Sequence, residues 1–291
     1  MVKTIGQLYL EARKAFSEHE DMHTASLYAR NLLCHVTGKT PEKVIADGRE
    51  PASEDAVQAM WQAVNRVLVG EPLAYVLGQW DFYGLKLHVN SHVLIPRDDT
   101  CAVAELAIRQ GLFLPESPRI LDLCTGSGCI GLALASQIKD ARVTLADISP
   151  DALQVAKKNV TDLKLTGRVA CYQADALGEP EAFLGQFHMI VSNPPYITTQ
   201  EMTELPGSVR DYEPHLALHG GDDGLDFYRA IAKNYRKALK PDGYLCFEFG
   251  MGQGNAVCQI LQENGYTILE RARDFNDRER AVIAQYHRKE E

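Results

Sequence analysis

Apolar residues in the first quarter of the chain recur with the spacing of an α-helix. They form two stripes, one of Ile5, Leu8, Tyr9, Ala12 and Phe16 and one of Leu27, Ala29, Leu32, Leu33 and Val36. Ser53 is of the residue type that caps a helix N-terminus, and it precedes a third periodic stretch that runs to Val69. Because each stripe gives a helix one buried face, we predict a small helical domain over residues 4–69.

The pattern changes after residues 70–72, Gly-Glu-Pro, which interrupt the helical period. Residues 80–89 predict a β-hairpin that leads into a second domain. From Ile120 onward, short apolar runs alternate with helical periods, which predicts a doubly wound, mostly parallel sheet with a ligand crevice at the carboxyl ends of its strands. The predicted strands span 119–124, 142–147, 169–173, 188–192, 243–249, 267–271 and 280–285, and the predicted helices span 129–138, 150–163, 225–239 and 253–264.

Length and composition agree with two folded domains. The chain has 291 residues, of which 45% are hydrophobic and 24% are charged. A net charge of −9 offers no basic surface to a polyanion, so a nucleic-acid partner is disfavoured. No apolar run approaches the ~20 residues that span a bilayer, so we expect no membrane partner.

The cysteines and histidines predict neither disulfides nor a metal centre. The seven cysteines are odd in number and lack a Cys-x-x-Cys pair, which indicates reduced thiols and a cytoplasmic location. The nine histidines are scattered among turn and strand signals, so no metal site is predicted. We expect the chain to be a monomer.

A glycine-rich loop follows the first strand of the predicted sheet. Residues 120–131 are Ile-Leu-Asp-Leu-Cys-Thr-Gly-Ser-Gly-Cys-Ile-Gly, which place Gly126 and Gly128 between a buried strand and a helix. A backbone without Cβ there lets a ligand approach closely, and a helix N-terminus can face an anionic group. Together with Gly131 the loop also satisfies the dinucleotide fingerprint, so an NAD-dependent oxidoreductase remains an alternative.

Three aspartates lie at strand ends near this loop. Asp147 ends the second strand, where its carboxylate can accept hydrogen bonds from both ribose hydroxyls of a nucleotide cofactor. Asp175 closes the third strand, where it can accept from an adenine amino group or serve only as a turn residue. Asp122 precedes the loop, and its carboxylate would match the ammonium group of S-adenosylmethionine, which favours that cofactor over NAD.

The tetrapeptide Asn193-Pro194-Pro195-Tyr196 follows the apolar strand that ends at residue 192. Its two prolines fix φ at successive residues, so the Asn193 side chain and the Pro194 carbonyl have little freedom. Two such acceptors can hold both N–H bonds of a planar amide or amino group and turn its lone pair toward an incoming methyl, while Tyr196 offers a flat apolar face. We therefore predict methyl transfer from S-adenosylmethionine, with S-adenosylhomocysteine as the product and no dedicated general base.

These motifs, and the chain as a whole, resemble the PrmC/HemK family of protein-(glutamine-N5) methyltransferases. The resemblance extends over nearly the whole chain and is carried by residues 71–75, 93–100, 125–128, 191–196, 212–214, 220–224 and 277–280. Adenine-N6 methyltransferases share Asn-Pro-Pro-Tyr, but Ile95-Pro96-Arg97 and the helical N-terminal domain are more restrictive.

The resemblance implies a class I methyltransferase fold, with a Rossmann-like, mostly parallel seven-stranded sheet. It implies a helical substrate-docking domain at residues 1–72, a linker with a helix and a β-hairpin at 73–98, and a methyltransferase domain at 99–291. The acceptor that it implies is the glutamine of the Gly-Gly-Gln motif in class-1 peptide-chain release factors.

The predicted site combines the residue patterns with this resemblance. The cofactor residues are Asp122, Cys124, Thr125, Gly126, Ser127, Gly128, Asp147, Asp175, Ala176 and Asn193, and the catalytic and substrate residues are Asn193, Pro194, Pro195 and Tyr196, with Arg97 also on the substrate. The chain departs from the family pattern with Cys124 in place of Gly, Asp98 in place of Pro and Cys101 in place of Glu. Ala176 stands where similar enzymes often carry an aromatic that packs on adenine, and Leu177 is the nearest substitute.

The alternatives explain less of the sequence. A dehydrogenase leaves the Asn193–Tyr196 turn without a role. An adenine-N6 nucleic-acid methyltransferase explains both motifs but needs a target-recognition region and a basic surface, and only about 40 residues follow Gly250. A non-catalytic binding module would require the intact Asn193 and Tyr196 to be relics.

Overall fold

A computed structural model of the chain describes residues 3–287, and the chain divides into two compact units. The smaller unit reaches to Gly78 and includes Gly207–Tyr212, and the larger one comprises Gln79–Pro206 and the residues from Glu213 onward.

The helices and strands follow in chain order. The helices are α1 (Ile5–Phe16), α2 (Met22–Thr37), α3 (Pro41–Ala46), α4 (Glu54–Leu68), α5 (Leu73–Leu77), α6 (Cys101–Gly111), α7 (Cys129–Gln137), α8 (Pro150–Asp162), α9 (Thr199–Met202), α10 (Gly207–Arg210), α11 (Asp226–Asn234) and α12 (Gly254–Glu263). The strands are β1 (Gln79–Phe82), β2 (Leu85–His88), β3 (Arg119–Leu123), β4 (Arg142–Asp147), β5 (Val169–Gln173), β6 (Phe187–Ser192), β7 (Leu239–Glu248), β8 (Tyr266–Arg273) and β9 (Glu279–Tyr286). Short 3₁₀ turns lie at Asp98–Thr100, Ala182–Leu184, His215–Ala217 and Tyr235–Ala238.

The smaller unit is a helical bundle whose core is made by α1, α2 and α4. Leu8, Phe16 and Met60 are completely or almost completely buried there, because one face of each helix is apolar. Ser53 accepts a hydrogen bond from the Ala56 amide, so the predicted N-cap of α4 is confirmed. Periodicity did not indicate the short helices α3 and α5.

The larger unit is built on a seven-stranded sheet with the order β5-β4-β3-β6-β7-β9-β8. The pairs from β5 to β7 are parallel, and β9 is antiparallel to both of its neighbours. The predicted mostly parallel, seven-stranded sheet is therefore confirmed. Chain connections diverge on the two sides of β3, and the carboxyl ends of β3 and β6 meet at the switch point where such sheets bind ligands.

Successive strand residues supply two separate apolar cores, one on each face of the sheet. Ile120 belongs to the core that is shared with α6, α7 and α8, and Leu121 belongs to the core that is shared with α11 and α12. Helix α7 approaches β4 so closely that a Cβ at Gly131 would lie 2.3 Å from a methyl carbon of Leu145. The last glycine of the loop is thus required for helix–strand packing.

The hairpin β1–β2 packs within the larger unit. Phe82 and Leu87 are buried in its core, and Asn159 of α8 accepts from the His88 amide at 2.6 Å and donates to the His88 carbonyl at 3.0 Å. The domain boundaries after residues 72 and 98 remain a prediction.

Two parts of the secondary-structure prediction were wrong. Helix α6 was not predicted, although it buries one face and exposes Glu105 and Arg109, which lie one turn apart, on the other. The helix predicted over 225–239 ends at Asn234 and continues as a 3₁₀ turn, and β7 begins at Leu239, which pairs with Phe187 of β6. Strand pairing here overrides local helical propensity.

Among residues 3–287, no helix combines the length and apolar character that crossing a bilayer requires. Within the same residues, no group of three or more His, Cys, Asp or Glu side chains is placed to hold a metal ion. All seven cysteines lie in this described part of the chain, and all are free thiols.

Candidate active site

A cavity opens at the carboxyl ends of β3, β4, β5 and β6. It encloses about 1030 Å³, part of which is open to solvent. Of the predicted site residues, those that line it are Arg97, Cys124, Thr125, Gly126, Ser127, Asp147, Asp175, Ala176, Asn193 and Pro195. The structure thus gathers most of the predicted site around one cleft, although these residues are far apart in sequence.

The glycine loop forms the wall of the cavity at the end of β3. Gly126 has φ of +53°, and a Cβ at this residue would meet no atom of the described chain within 4 Å. Gly128 has φ of +85° and faces away from the cavity, since its Cβ would lie 3.0 Å from methyl carbons of Leu132 and Leu145. Gly126 therefore opens the loop to a ligand, whereas Gly128 lets α7 begin against β4.

Asp122 lies beneath the loop and does not line the cavity. Its Oδ2 accepts from the Thr125 hydroxyl at 2.6 Å and from the Gly131 amide at 2.8 Å. Burial raises the pKa of this carboxyl to about 7. This position makes Asp122 a brace between the loop and α7, and its contact with a cofactor ammonium group stays a prediction.

Asp147 and Asp175 both face the cavity, from neighbouring strand ends. The Asp147 carboxylate accepts from the Gly126 amide at 2.8 Å through Oδ2 and from the Ser149 amide at 3.0 Å through Oδ1. Each oxygen has a second lone pair, so the carboxylate can still accept from two hydroxyls of a ligand. Burial raises the pKa of Asp147. Asp175 is exposed and accepts from the Leu177 amide at 2.9 Å, so it combines a turn role with a place on the cavity wall.

The apolar part of the wall includes residues that the sequence did not identify. Ala176 is buried, and Leu177 beside it lines the cavity as anticipated for a residue that replaces an aromatic. Ile148 and Phe227 also line it. A flat apolar ring can thus contact side chains from β4, β5 and α11.

Cys124 has a backbone conformation that favours glycine, with φ of +61°. An L-residue with a Cβ pays about 1–2 kcal/mol in this region, which exceeds the usual entropic cost of glycine of about 0.5–1 kcal/mol. We therefore expect Cys124→Gly to be more stable than Cys124→Ala by about 0.5–1 kcal/mol in urea unfolding.

The matched pair for this test is Cys258→Gly and Cys258→Ala. Cys258 lies inside α12, where alanine should be the more stable variant by about 1 kcal/mol. If the glycine and alanine variants had the same order of stability at both cysteines, the result would contradict a left-handed backbone at Cys124.

The tetrapeptide Asn193–Tyr196 continues from β6 directly at the switch point. The Asn193 side chain lines the cavity, and its Nδ2 donates to the Thr100 hydroxyl at 3.4 Å. Pro194 is buried and does not line the cavity, whereas Pro195 does. Tyr196 is also absent from the wall, and burial raises the pKa of its phenol, which stays neutral at ordinary pH.

A second glycine-rich segment, residues 220–224, packs closely against the backbone of this tetrapeptide. A Cβ at Gly220 would lie 2.6 Å from the Pro195 carbonyl oxygen, and a Cβ at Gly224 would lie 2.3 Å from the Tyr196 carbonyl oxygen. The Gln253 side chain donates to the same Tyr196 carbonyl at 3.0 Å. The spacing of glycines at 220–224 is thus explained by close backbone packing.

Gly224→Ala should lower kcat for methyl transfer by more than about tenfold, because displacing the turn by 1 Å misplaces the reacting groups. The control is Gly252→Ala, since Gly252 also has positive φ (+84°) but no described atom within 4 Å of its Cβ position. Steady-state kinetics at saturating cofactor would measure both variants. Equal losses in both would mean that backbone strain, and not the clash with Tyr196, causes the effect.

Arg97 is held at the rim of the cavity by an ion pair with Glu213. Glu213 is buried, and its other oxygen accepts from the Ile95 amide at 3.2 Å. The two segments that the sequence singled out, at 93–100 and 212–214, are therefore partners. The Arg97 side chain remains 43% exposed, so it can still contact a substrate.

Glu248, at the end of β7, is a site residue that the sequence analysis missed. It is buried beside Asn193, because Ser192 pairs with Phe247 in parallel register. Burial raises the pKa of Glu248 to about 7, against the opposing effect of hydrogen bonds from Thr100 and Asn193. The available signal was a single acidic residue within the apolar strand Tyr-Leu-Cys-Phe-Glu-Phe.

Comparisons with known proteins place this geometry in a family. A family model described as the methyltransferase small domain matches residues 107–206, and one described as the PrmC N-terminal domain matches residues 7–78. A release factor glutamine methyltransferase from Clostridium acetobutylicum is 39% identical over 253 residues, which cover 87% of this chain and 88% of that protein. One from Escherichia coli is 38% identical over 277 residues and covers 94% and 97%.

The chain belongs to the release factor glutamine methyltransferase family. It is a methyltransferase, and the predicted resemblance is confirmed. A crystal structure of a methyltransferase from Pyrococcus furiosus shows the same fold, with a TM-score of 0.51 and 16% identity over 77% of this chain and 98% of that one. The fold and the family are those of class I enzymes that use S-adenosylmethionine, and an oxidoreductase is therefore set aside.

Proposed function

We propose that the chain methylates the side-chain amide nitrogen of the glutamine in the Gly-Gly-Gln motif of class-1 peptide-chain release factors, with S-adenosylmethionine as the methyl donor. The names of the relatives from Clostridium and Escherichia support this acceptor. The observation that carries the proposal is the orientation of Asn193. Asn193 lines the cavity and its amide nitrogen donates to Thr100, which leaves the amide oxygen available to accept from a substrate.

The residues of the cavity fit S-adenosylmethionine. The open backbone at Gly126 can approach an anionic group, and Asp147 retains acceptor capacity for two ribose hydroxyls. Ile148, Leu177 and Phe227 offer apolar contacts to an adenine ring. When bound, the cofactor supplies a methyl group on a strongly activated sulfonium.

The protein's contribution is then mainly orientation. An amide nitrogen is a weak nucleophile because its lone pair is delocalised into the carbonyl. The Asn193 oxygen would accept one N–H of the glutamine amide, and the other would need the Pro194 carbonyl, whose residue lies behind the cavity wall. Two such contacts would fix the plane of the group and direct the lone pair at the methyl. Tyr196 would border the same group, and its neutral phenol adds no charge there. Arg97 would contact the substrate at the rim.

We further propose that residues 1–72 dock the release factor. The proposal also includes a monomeric state and a cytoplasmic location. An adenine-N6 methyltransferase would use the same tetrapeptide, and the net charge of −9 disfavours its nucleic-acid substrate.

The test supplies labelled S-adenosylmethionine with a purified class-1 release factor, with the same factor after Gln→Glu substitution in its Gly-Gly-Gln motif, or with duplex DNA. Mass spectrometry of tryptic peptides then locates the methyl group. We expect label only in the unsubstituted factor, on that glutamine. Label in DNA, or equal label in the substituted factor, would refute the proposed acceptor.

A further inference from the structure

An asparagine side chain can grip a substrate N–H only when its oxygen points at the substrate. The carboxamide has an acceptor at one end and two donors at the other, and the two orientations have nearly the same shape. If Asn193 were flipped, it would present N–H groups to the N–H groups of a glutamine amide. Some group in the protein must therefore hold the nitrogen end of Asn193.

Thr100 is the direct partner of that nitrogen, but a hydroxyl alone cannot decide the orientation. Thr100 is 2% exposed, and its Oγ1 lies 3.4 Å from Asn193 Nδ2. A hydroxyl both donates and accepts, so it would pair equally well with either end of the carboxamide. The orientation of the Asn193 carboxamide therefore also depends on the group that fixes the proton of the Thr100 hydroxyl.

Glu248 is placed to fix that proton. Its side chain is 2% exposed, it lies beside Asn193 through the pairing of β6 and β7, and both Thr100 and Asn193 hydrogen-bond to it. An ionised carboxylate only accepts. While Glu248 is ionised, the Thr100 hydroxyl donates to it, which leaves the lone pairs of Thr100 to accept from Asn193.

The burial of this carboxyl is not explained by an ion pair. The nearby Arg280 is bonded to Asp99 at 2.9 Å and to Asp274 at 3.1 Å. Glu248 Oε2 is buried and, among residues 3–287, has no hydrogen-bond partner. A buried acid with an unsatisfied oxygen destabilises a fold, and such groups concentrate where a site needs them.

We propose that Glu248 is a positioning residue for methyl transfer, which accepts from Asn193 and also acts through Thr100 to hold the Asn193 carboxamide with its oxygen toward the acceptor amide. This inference rests on the proposed function, because it takes the grip of Asn193 on a planar N–H₂ group as given.

The experiment compares Glu248→Leu, Glu248→Gln and the exposed control Glu263→Leu on α12 in the full-length chain. The leucine has similar bulk but no acceptor, whereas the glutamine keeps one oxygen that can accept from Thr100. We expect Glu248→Leu to lower kcat by at least about 30-fold while the KM for S-adenosylmethionine changes by less than about threefold. Glu248→Gln should retain clearly more of kcat than Glu248→Leu but less than the unmodified chain, because a carboxamide can also turn its N–H₂ group toward Thr100. Glu263→Leu should match the unmodified chain.

A second measurement follows the orientation of Asn193 and needs no substrate. The side-chain ¹⁵N–¹H₂ resonances of Asn193 are identified by their absence from Asn193→Ala. We expect them to be shifted and to exchange faster with solvent in Glu248→Leu, and to be close to their original positions in Glu248→Gln.

Three outcomes would overturn the inference. They are an unchanged kcat in Glu248→Leu, a Glu248→Gln variant as slow as Glu248→Leu, and Asn193 resonances that are the same in all variants. The resonances are measured without an acceptor, so they test Glu248 even if the release-factor glutamine is the wrong substrate. If the unmodified chain methylates that glutamine and the Glu248 substitutions have no effect, only this inference is refuted and the proposed function stands.

Discussion

Asn193→Ala is expected to reduce kcat for methylation of a release factor by about 10²- to 10³-fold, the range for removing one aligned hydrogen-bonding group from an active site. The substitution removes the acceptor that orients the glutamine amide, and the delocalised nitrogen then meets the methyl in few productive orientations. Single-turnover transfer of a labelled methyl group would measure the loss.

The cofactor should still bind to Asn193→Ala, because its main polar partners come from the glycine loop and from β4. Calorimetry should give an affinity within about threefold of the unmodified chain. Asn255→Ala is the control, since Asn255 is an exposed asparagine on α12 that is bonded to Arg271 at 2.9 Å. Full activity in Asn193→Ala would reject the proposed grip on the amide.

The sequence was sufficient to predict the sheet because its strands are both apolar and short. Residues 120–123 and 189–191 are buried on both sides of the sheet, and fully buried parallel strands give continuous apolar runs. Helix α6 was missed although it has a polar face, on which Glu105 and Arg109 lie one turn apart and are exposed.

The site residues that were predicted lie at strand ends, since Asp147 ends β4 and Asn193 follows β6. Glu248 also ends a strand, but its role depends on Thr100, which has no such signal. Thr100 and Glu248 matter only because folding brings β7 and the residues before α6 against Asn193. No spacing in the sequence encodes that contact.

Asp122 shows what the rule about strand ends leaves out. It satisfies the strand-end rule, and its charge suits a cationic ligand, yet its side chain turns inward. The side chain direction alternates along a strand, and Asp122 lies on the face that carries α7, where Thr125 and Gly131 use its Oδ2. Asp122 pairs with Leu145, two residues before Asp147 on β4, so its depth along the sheet, and not the face on which it lies, separates it from the cavity wall.

Asp147→Ala is expected to weaken the binding of S-adenosylmethionine by about 1.5–3 kcal/mol, or roughly 10- to 150-fold in Kd, the magnitude for hydrogen bonds to a charged acceptor. Two effects act in the same direction. The ribose hydroxyls lose their carboxylate, and the Gly126 amide, which donates to Asp147 at 2.8 Å, loses the partner that shapes the loop.

The two effects can be separated with Asp147→Asn, which keeps one acceptor oxygen. If the loop contact dominates, the asparagine oxygen can face Gly126 and most of the affinity should return; if the ribose contact dominates, Asp147→Asn should bind almost as weakly as Asp147→Ala. The control is Asp151→Ala, an aspartate in the first turn of α8 with 67% of its side chain exposed. Because Asp147 would contact only the cofactor, saturating S-adenosylmethionine should restore kcat in Asp147→Ala. It should not restore kcat in Asn193→Ala, and calorimetric affinity unchanged by Asp147→Ala would remove this carboxylate from the cofactor site.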